Sequence, residues 1–423
     1  MFVIDIRLLL AFTDCEMGKK KTTTSTVTAV TKVPTREIKP DVTAMLWGRA
    51  SGRCEFKGCN RALWKSPVTQ ERVNLAQRAH IYSFSSGGPR GHKGISKAKL
   101  NDFDNLMLIC HGCHQKIDKN KSGGRYSVEL LQEWKRDHES RVELVTGIDP
   151  SKKSHVILYG SNIGAQNVHL NFEDAASALF PKRYPATDHP IELTLTGNVA
   201  RDDTERFYAM EAPNLIDAFN EKLRPGIRDK RIEHASIFAL AAQPLLILLG
   251  TLLNDISGAE VFEQHPEKGA EVFQRHREPE QTWDWATKGS KLNLSVQQPS
   301  SFNGIPALVF ALSDYVDDSR VMEVLGKDVS LWKVTVSKPS MELIKTRAQL
   351  SEFRIVIRDL LGEINRRHGL KSILHVFPVM GVSTAVELGR MRMPKAAMPW
   401  QVYDQISGRG FVPALSIPFQ EKS

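Results

Sequence analysis

Two cysteines and two histidines crowd into five positions of this 423-residue chain: Cys110, His111, Cys113 and His114, within LMLICHGCHQKIDKN (106–120). A second close cysteine pair, Cys54 and Cys59, lies upstream, with fifty residues between the pairs. Two close pairs on separate knuckles suit a tetrahedral zinc site with four thiolate ligands. If the thiols supply every ligand, His111 and His114 are released for other work. Upstream again, His80 sits in the short strand-like run NLAQRAHIYS. A Gly-, Ser- and Lys-rich loop, SFSSGGPRGHKGISKAKLNDFDN, then ends at Asn105, immediately before LMLICHGCH. Hydrolysis of a phosphodiester needs a water stripped of its proton and positive charge for the developing oxyanion. A neutral histidine can take such a proton near pH 7.

The order His80, Asn105, His114, with a cysteine pair just before the last histidine, resembles the HNH endonuclease family over residues 40–146. That resemblance implies an α+β domain of ββα-metal fold acting on double-stranded DNA. It implies His80 as general base, Asn105 holding the loop and orienting His80 through a side-chain hydrogen bond, and His114 binding a divalent metal such as magnesium. Asp118 lies four residues after His114, on the same helical face, and a carboxylate suits a hard cation as second ligand. Many family members carry an Asp or His just before the base, where this chain has Ala79. His111 reads as a knuckle or surface residue and His92 as basic surface. Arg90, Lys93, Lys97 and Lys99 of the loop are expected to face phosphates. No stretch has the character of a base-reading helix, so binding through the backbone with little sequence preference is expected.

Charge placement agrees with a nucleic-acid-facing N-terminal third. Residues 1–150 carry 25 Lys and Arg against 16 Asp and Glu, whereas residues 151–423 carry 32 of each, so the whole net charge of +9 lies in the first part. A phosphate backbone is the natural partner of such a module. Only five cysteines occur, four of them in the two pairs, which argues against a secreted disulfide scaffold and for a reducing, cytoplasmic setting. The N-terminal apolar run is interrupted by Asp5 and Arg7 and followed by Lys19–Lys21, the reverse of a signal peptide. Residues 1–39 are read as a disordered or leader segment. PLLILLGTLL (244–253) is too short to cross a bilayer and reads as a buried helix, so no membrane partner is expected.

The elements that must position these residues follow from patterning. DVTAMLWGRASGRC reads as a helix entering the first cysteine pair. SVELLQEWKRDHESRVELV (127–145) closes the first domain with apolar residues at helical spacing, and GIDPSKKS (147–154) has linker composition. Residues 155–423 alternate strand-like runs (IELTLTG, ASIFALAAQ, PALVFALS, ILHVFPV) with helical ones such as QLSEFRIVIRDLLGEINRRHG, the mark of an α/β domain. Two stretches repeat a plan of strand, tight loop and helix ending in Leu-Gly: IFALAAQPLLILLG and LHVFPVMGVSTAVELG. Two Rossmann-like halves would bind ligands at the carboxyl ends of their strands, where helix N-termini offer N–H groups to anions.

ASIFALAAQPLLILLGTLL, VFQRHREPEQTWDW and LHVFPVMGVSTAVELGRMRMPKAAMPWQVYD resemble the SAVED domain. This resemblance implies two fused CARF-like halves that bind cyclic oligonucleotides, either di- or trinucleotides, in the bacterial anti-phage systems called CBASS. An HNH domain followed by SAVED is one effector-nuclease architecture of those systems. Trp283 and Trp285 are candidates to stack a base. Arg277, Lys288, Gln243, Ser383 and Thr384 are candidates for phosphates or base edges. The chain thus reads as a ligand-activated DNA endonuclease that forms a homo-oligomer, dimer to tetramer or higher, on activation. Two alternatives have different chemistry: a restriction-type HNH nuclease whose C-terminal domain reads DNA, and a zinc-containing, ligand-sensing transcription regulator.

Overall fold

The computed structural model describes residues 37–418 apart from 93, 97–98, 120–123, 164–167, 169, 195–205, 256–257, 267–280, 284, 287 and 394–395. It divides into two compact units between Val142 and Glu143.

In the first unit α1 (Pro40–Arg49) starts with Pro40, whose fixed φ suits a first helical turn. β1 (Ala76–His80) and β2 (Leu106–Cys110) pair antiparallel with His80 opposite Leu106. Helix α2 (His111–Lys119) follows β2 directly, and α3 (Val128–Thr146) closes the unit. All five residues of β2 are buried, as its unbroken apolar run requires. Leu46 of α1, Leu63, Ile117 of α2 and Leu131 of α3 pack around it. The segment 147–154, read as a linker, holds a 3-10 turn at Pro150–Lys152, which Asp149 caps through Ser151 N–H at 2.7 Å. It also supplies the first two residues of the next strand.

The second unit contains β3 (Lys153–Gly160), α4 (Phe172–Leu179), β4 (Tyr184–Pro185), β5 (Ile191–Glu192), α5 (Phe207–Ala218), α6 (Arg224–Arg228), β6 (Ala235–Leu240), α7 (Gln243–Leu252) and β7 (Ala259–Val261). A small antiparallel pair follows, β8 (His265–Pro266) with β9 (Gln281–Thr282). Then come β10 (Ser295–Gln297), β11 (Ile305–Ala311), α8 (Ser319–Leu325), β12 (Val329–Thr335), α9 (Arg347–His368), β13 (Leu374–Val379), α10 (Val382–Met391), β14 (Trp400–Ile406) and β15 (Gly410–Ile417). One sheet runs β4-β3-β6-β7, all parallel, with β5 also on β3. The other runs β10-β12-β11-β13-β14-β15, parallel in its middle and antiparallel at both edges. Its central strands are near-continuous apolar runs because both faces are covered. Helix α9 starts at a capping box formed by Thr346 and Gln349.

The two repeated stretches occupy equivalent places, β6–α7 in one sheet and β13–α10 in the other, and α7 packs along α10. Their Leu-Gly endings are the crossing point. A Cβ on Gly250 would lie 2.0 Å from the Val386 carbonyl oxygen, and one on Gly389 would lie 2.0 Å from that of Ile247. Only glycine admits such an approach. PLLILLG is buried throughout, as the sequence suggested. Of IELTLTG, only Ile191–Glu192 is strand among the described residues. No helix among the described residues is long and apolar enough to cross a membrane.

Candidate functional site

In the first unit His80 ends β1, Asn105 stands just before β2, and His114 and Asp118 share a face of α2. The His114 Nε2 and Asp118 Oδ2 atoms are 3.4 Å apart, and both side chains are partly exposed. Asn105 is buried, and its amide serves backbone: its Oδ1 accepts from Tyr82 N–H at 2.7 Å, and its Nδ2 donates to the carbonyls of Leu100 (2.8 Å) and Tyr82 (3.2 Å). It therefore ties the two ends of the loop, as expected, but does not orient the His80 ring. The amide that meets that ring is Asn101, with Oδ1 3.0 Å from His80 Nε2. Asn101 Nδ2 donates to the Glu37 carbonyl at 3.0 Å, which fixes which way the amide faces. Nothing in the spacing separated Asn101 from Asn105 as a partner.

Arg90 also departs from expectation. Its guanidinium, only 2% exposed, does not face solvent phosphates. It donates through Nε to the Ile81 carbonyl (2.7 Å) and through Nη1 to that of Ile117 (2.9 Å). Nη2 reaches the His80 carbonyl and Asp118 Oδ1, each at 3.4 Å. Burial pushes its pKa down and Asp118 opposes this; an arginine stays charged regardless. The end of β1 and the helix bearing His114 and Asp118 are thus joined by one side chain. Ala79 points into the core and offers no ligand. His111 pairs with Gln115 on the helix surface at 2.9 Å. Lys93 and Lys97 lie outside the described residues, and Lys99 is described.

The Sγ atoms of Cys54, Cys59, Cys110 and Cys113 lie within 4.8 Å of one another, and no disulfide joins them. Thiolates on a tetrahedral zinc at about 2.3 Å would be about 3.8 Å apart, so the four sulfurs fit one ion with little movement. Burial raises the Cys54 thiol and pushes Cys113 up to about 12. For Cys110 burial raises it too, but hydrogen bonds from Cys113, Cys59 and Cys54 prevail and lower it. Four clustered thiols, three of them buried, are the donor set that a cation would deprotonate. Among the described residues no other group of three or more His, Cys, Asp or Glu side chains comes together as a metal site.

In the second unit the expected anion slot at the start of α10 is filled from within. Glu263, buried after β7, accepts from Ser383 N–H at 2.8 Å, from Val382 N–H at 3.2 Å and from the Ser383 hydroxyl. Burial raises its pKa to about 7 against these hydrogen bonds. Ser383 and Thr384 are fully buried, and the Thr384 hydroxyl donates to the Gly381 carbonyl at 2.7 Å. Neither side chain reaches the surface. Gln243 donates through Nε2 to the Met380 carbonyl, crossing from one half to the other, and its Oε1 is buried without a partner.

Trp283 is a core residue, edge-on to Phe238 at 5.2 Å. Trp285 is half-buried, with the Arg347 guanidinium 5.8 Å from its ring centre. Lys288 is exposed, and Arg277 lies outside the described residues. The sequence reading missed Arg90 as a clamp, Asn101 and Glu263. Glu263 left only one trace, a carboxylate directly after the strand-like run AEVF.

Residues 215–417 match the family model SAVED, the SMODS-associated and fused to various effectors sensor domain. No curated protein sequence matches the chain. Among solved structures the chain is similar to the Acinetobacter baumannii Cap4 SAVED/CARF-domain containing receptor with the cyclic trinucleotide 2'3'3'-cAAA. That match is 12% identical with TM-score 0.38, covering 75% of this chain and 64% of that one. The same receptor with 3'3'3'-cAAA matches at 10% identity and TM-score 0.37, covering 71% and 65%. The Moraxella osloensis Cap4 receptor matches at 9% identity and TM-score 0.32, covering 77% and 70%. The chain spans less than two thirds of the length of the Acinetobacter chains. The β6–α7 and β13–α10 repeats both fall inside the matched stretch, as does the whole of the second sheet, so the similarity to the SAVED sensor domain covers residues 215–417 of this chain.

Proposed function

We propose that this chain is an effector nuclease of CBASS-type anti-phage defence, in which a cyclic oligonucleotide bound by the SAVED domain switches on metal-dependent DNA cleavage by the first unit. The observation that carries the catalytic half is the reach of Arg90: its Nη2 lies 3.4 Å from both the His80 carbonyl and the Asp118 carboxylate. One buried cation so draws together the candidate base and the candidate metal ligands. The sensing half rests on the SAVED match, a domain described as fused to various effectors. The first unit, which holds the excess positive charge, is the candidate effector.

Within this reading the side chains divide the work as follows. Asn101 accepts from His80 Nε2–H, so the lone pair on Nδ1 is the one that takes the proton from water. Asn105 and Arg90 hold the loop and the α2 face that keep this ring in register. His114 and Asp118 would hold a divalent metal, magnesium by ligand chemistry. When bound, that metal supplies positive charge for the developing oxyanion. Zinc on the four cysteines would fasten the Cys54–Cys59 segment to the end of β2 and the start of α2. One such centre cuts one strand, so cutting both strands of double-stranded DNA needs two centres brought together, and ligand-driven assembly of homo-oligomers provides them. The test is plasmid incubated with the protein, magnesium and a panel of cyclic di- and trinucleotides. Cleavage with one member of the panel and none without it supports the reading. Full-rate cleavage with no ligand supports the restriction-type alternative.

A further inference from the structure

A cavity of about 330 Å³ opens at the amino ends of β6 and β7, away from the carboxyl ends where Gln243 and Ser383 stand. Both halves of the second unit line it: Arg183, His234 and Glu260 come from the first, and Arg347, Arg354 and Glu387 from the second. Its two carboxylates are already engaged. Glu260 is paired with Arg347, whose guanidinium also lies over the Phe262 ring, 5.4 Å from its centre. Glu387, only 2% exposed, is 2.7 Å from Arg390 and 3.7 Å from Arg354.

Three arginines therefore face two carboxylates, one of which, Glu387, is also shared with Arg390. Arg183 makes no ion pair among the described residues, although it feels Glu260 and Arg347 nearby. His234 adds no charge of its own near neutrality. Burial first, then the positive charge of Arg183, Lys152 and Arg390, lowers it to about 4. The cavity thus keeps an excess of positive charge in a half-enclosed space, with planar guanidinium forks as donors. Such forks match phosphate oxygens two at a time. The volume is at the lower end for a small-molecule site, sufficient for a phosphate or a small nucleotide.

We propose that this cavity binds a compact phosphate-bearing anion, held by Arg183 and Arg354 and bridging the two halves of the sensor. The occupant is a free phosphate or the phosphate monoester of a nucleotide. The assignment does not depend on the nuclease reading or on which cyclic oligonucleotide the domain senses. Titration calorimetry on the full chain, at low ionic strength in phosphate-free buffer, tests it with two probes: inorganic phosphate and a nucleoside 5′-monophosphate. Saturable binding of at least one probe is expected, weakened tenfold or more in both R183Q and R354Q. Equal affinity for the two probes identifies phosphate alone as the ligand, and tighter nucleotide binding adds the sugar and base to what is read. R183Q removes a side chain with no ion-pair partner, so its unliganded melting temperature should stay at the wild-type value. R183K, which keeps the charge but loses the fork, should fall between wild type and R183Q. No saturable binding of either probe, or wild-type affinity in both glutamine variants, overturns the proposal.

Discussion

Glu263 stands 2.8 Å from the backbone nitrogen of Ser383, its carboxylate lying on the first turn of α10 where a ligand's phosphate would be expected to sit. A buried carboxylate at a helix N-terminus is favoured by the unpaired N–H groups and the dipole, yet its desolvation raises its pKa from an ordinary 4.5 to about 7. The sign follows from proton counts. Between those two values the folded state holds a proton that the unfolded state has released, so stability falls as pH rises through the window. The slope is at most about 1.4 kcal/mol per pH unit for one group. Thermal melting of wild type and Glu263→Gln from pH 4.5 to 7.5 checks this. The variant should lose that portion of the slope.

The Gly250–Gly389 contact predicts a steric penalty without any change of charge. Gly250→Ala or Gly389→Ala must separate α7 from α10, because the new methyl would meet backbone rather than a mobile side chain. Overpacking of this kind costs roughly 3 kcal/mol. Denaturant unfolding of the second unit should register the loss, while the metal content of the first unit stays unchanged.

For the proposed nuclease centre, His80→Ala should abolish cleavage and leave the melting temperature within a degree or two of wild type. Asn101→Ala should retain activity reduced by roughly tenfold, since it removes the group that sets the His80 tautomer rather than the base itself. Arg90→Ala should lower both activity and melting temperature. It strands the carbonyls of His80, Ile81 and Ile117, and each unpaired buried acceptor costs about 1–3 kcal/mol. Plasmid nicking assays beside melting curves separate these three outcomes.

Metal on the cysteines should be part of the fold. Cys54→Ser or Cys110→Ser should unfold the first unit, because structural zinc binding contributes folding free energy directly. Elemental analysis beside calorimetry is the check, with about one zinc per chain expected in wild type and a large loss in either variant. A strong chelator added to wild type should reproduce the same melt.

Much of this was legible before the structure because it depends on local pattern. β2 is buried on all sides and reads as the unbroken run LMLIC. The Leu-Gly endings that mark the repeat are the residues that let α7 and α10 touch. The cysteine pairs gather as their spacing implied. What escaped the sequence depends on contacts between distant positions. Arg90 looks like one more loop cation until Ile117 and Asp118 are folded against it. Ser383 and Thr384 sit where an anion is expected, but Glu263, 120 positions earlier, already fills the place. Alternation along a strand puts residues two apart on one face, so nothing in the pattern separated Trp283, which is core, from Trp285, which is half-buried.

The central claim is coupling between sensor and nuclease, and a ligand can drive it only through a difference in affinity between the two states. The direct measurement is one titration of the full chain with the activating cyclic oligonucleotide, in magnesium and with plasmid, that follows light scattering and cleavage together. The account predicts no cleavage at zero ligand, then a rise in particle size and cutting rate with a common midpoint. Cleavage at full rate before any ligand is added, or ligand binding that changes neither size nor rate, would contradict it.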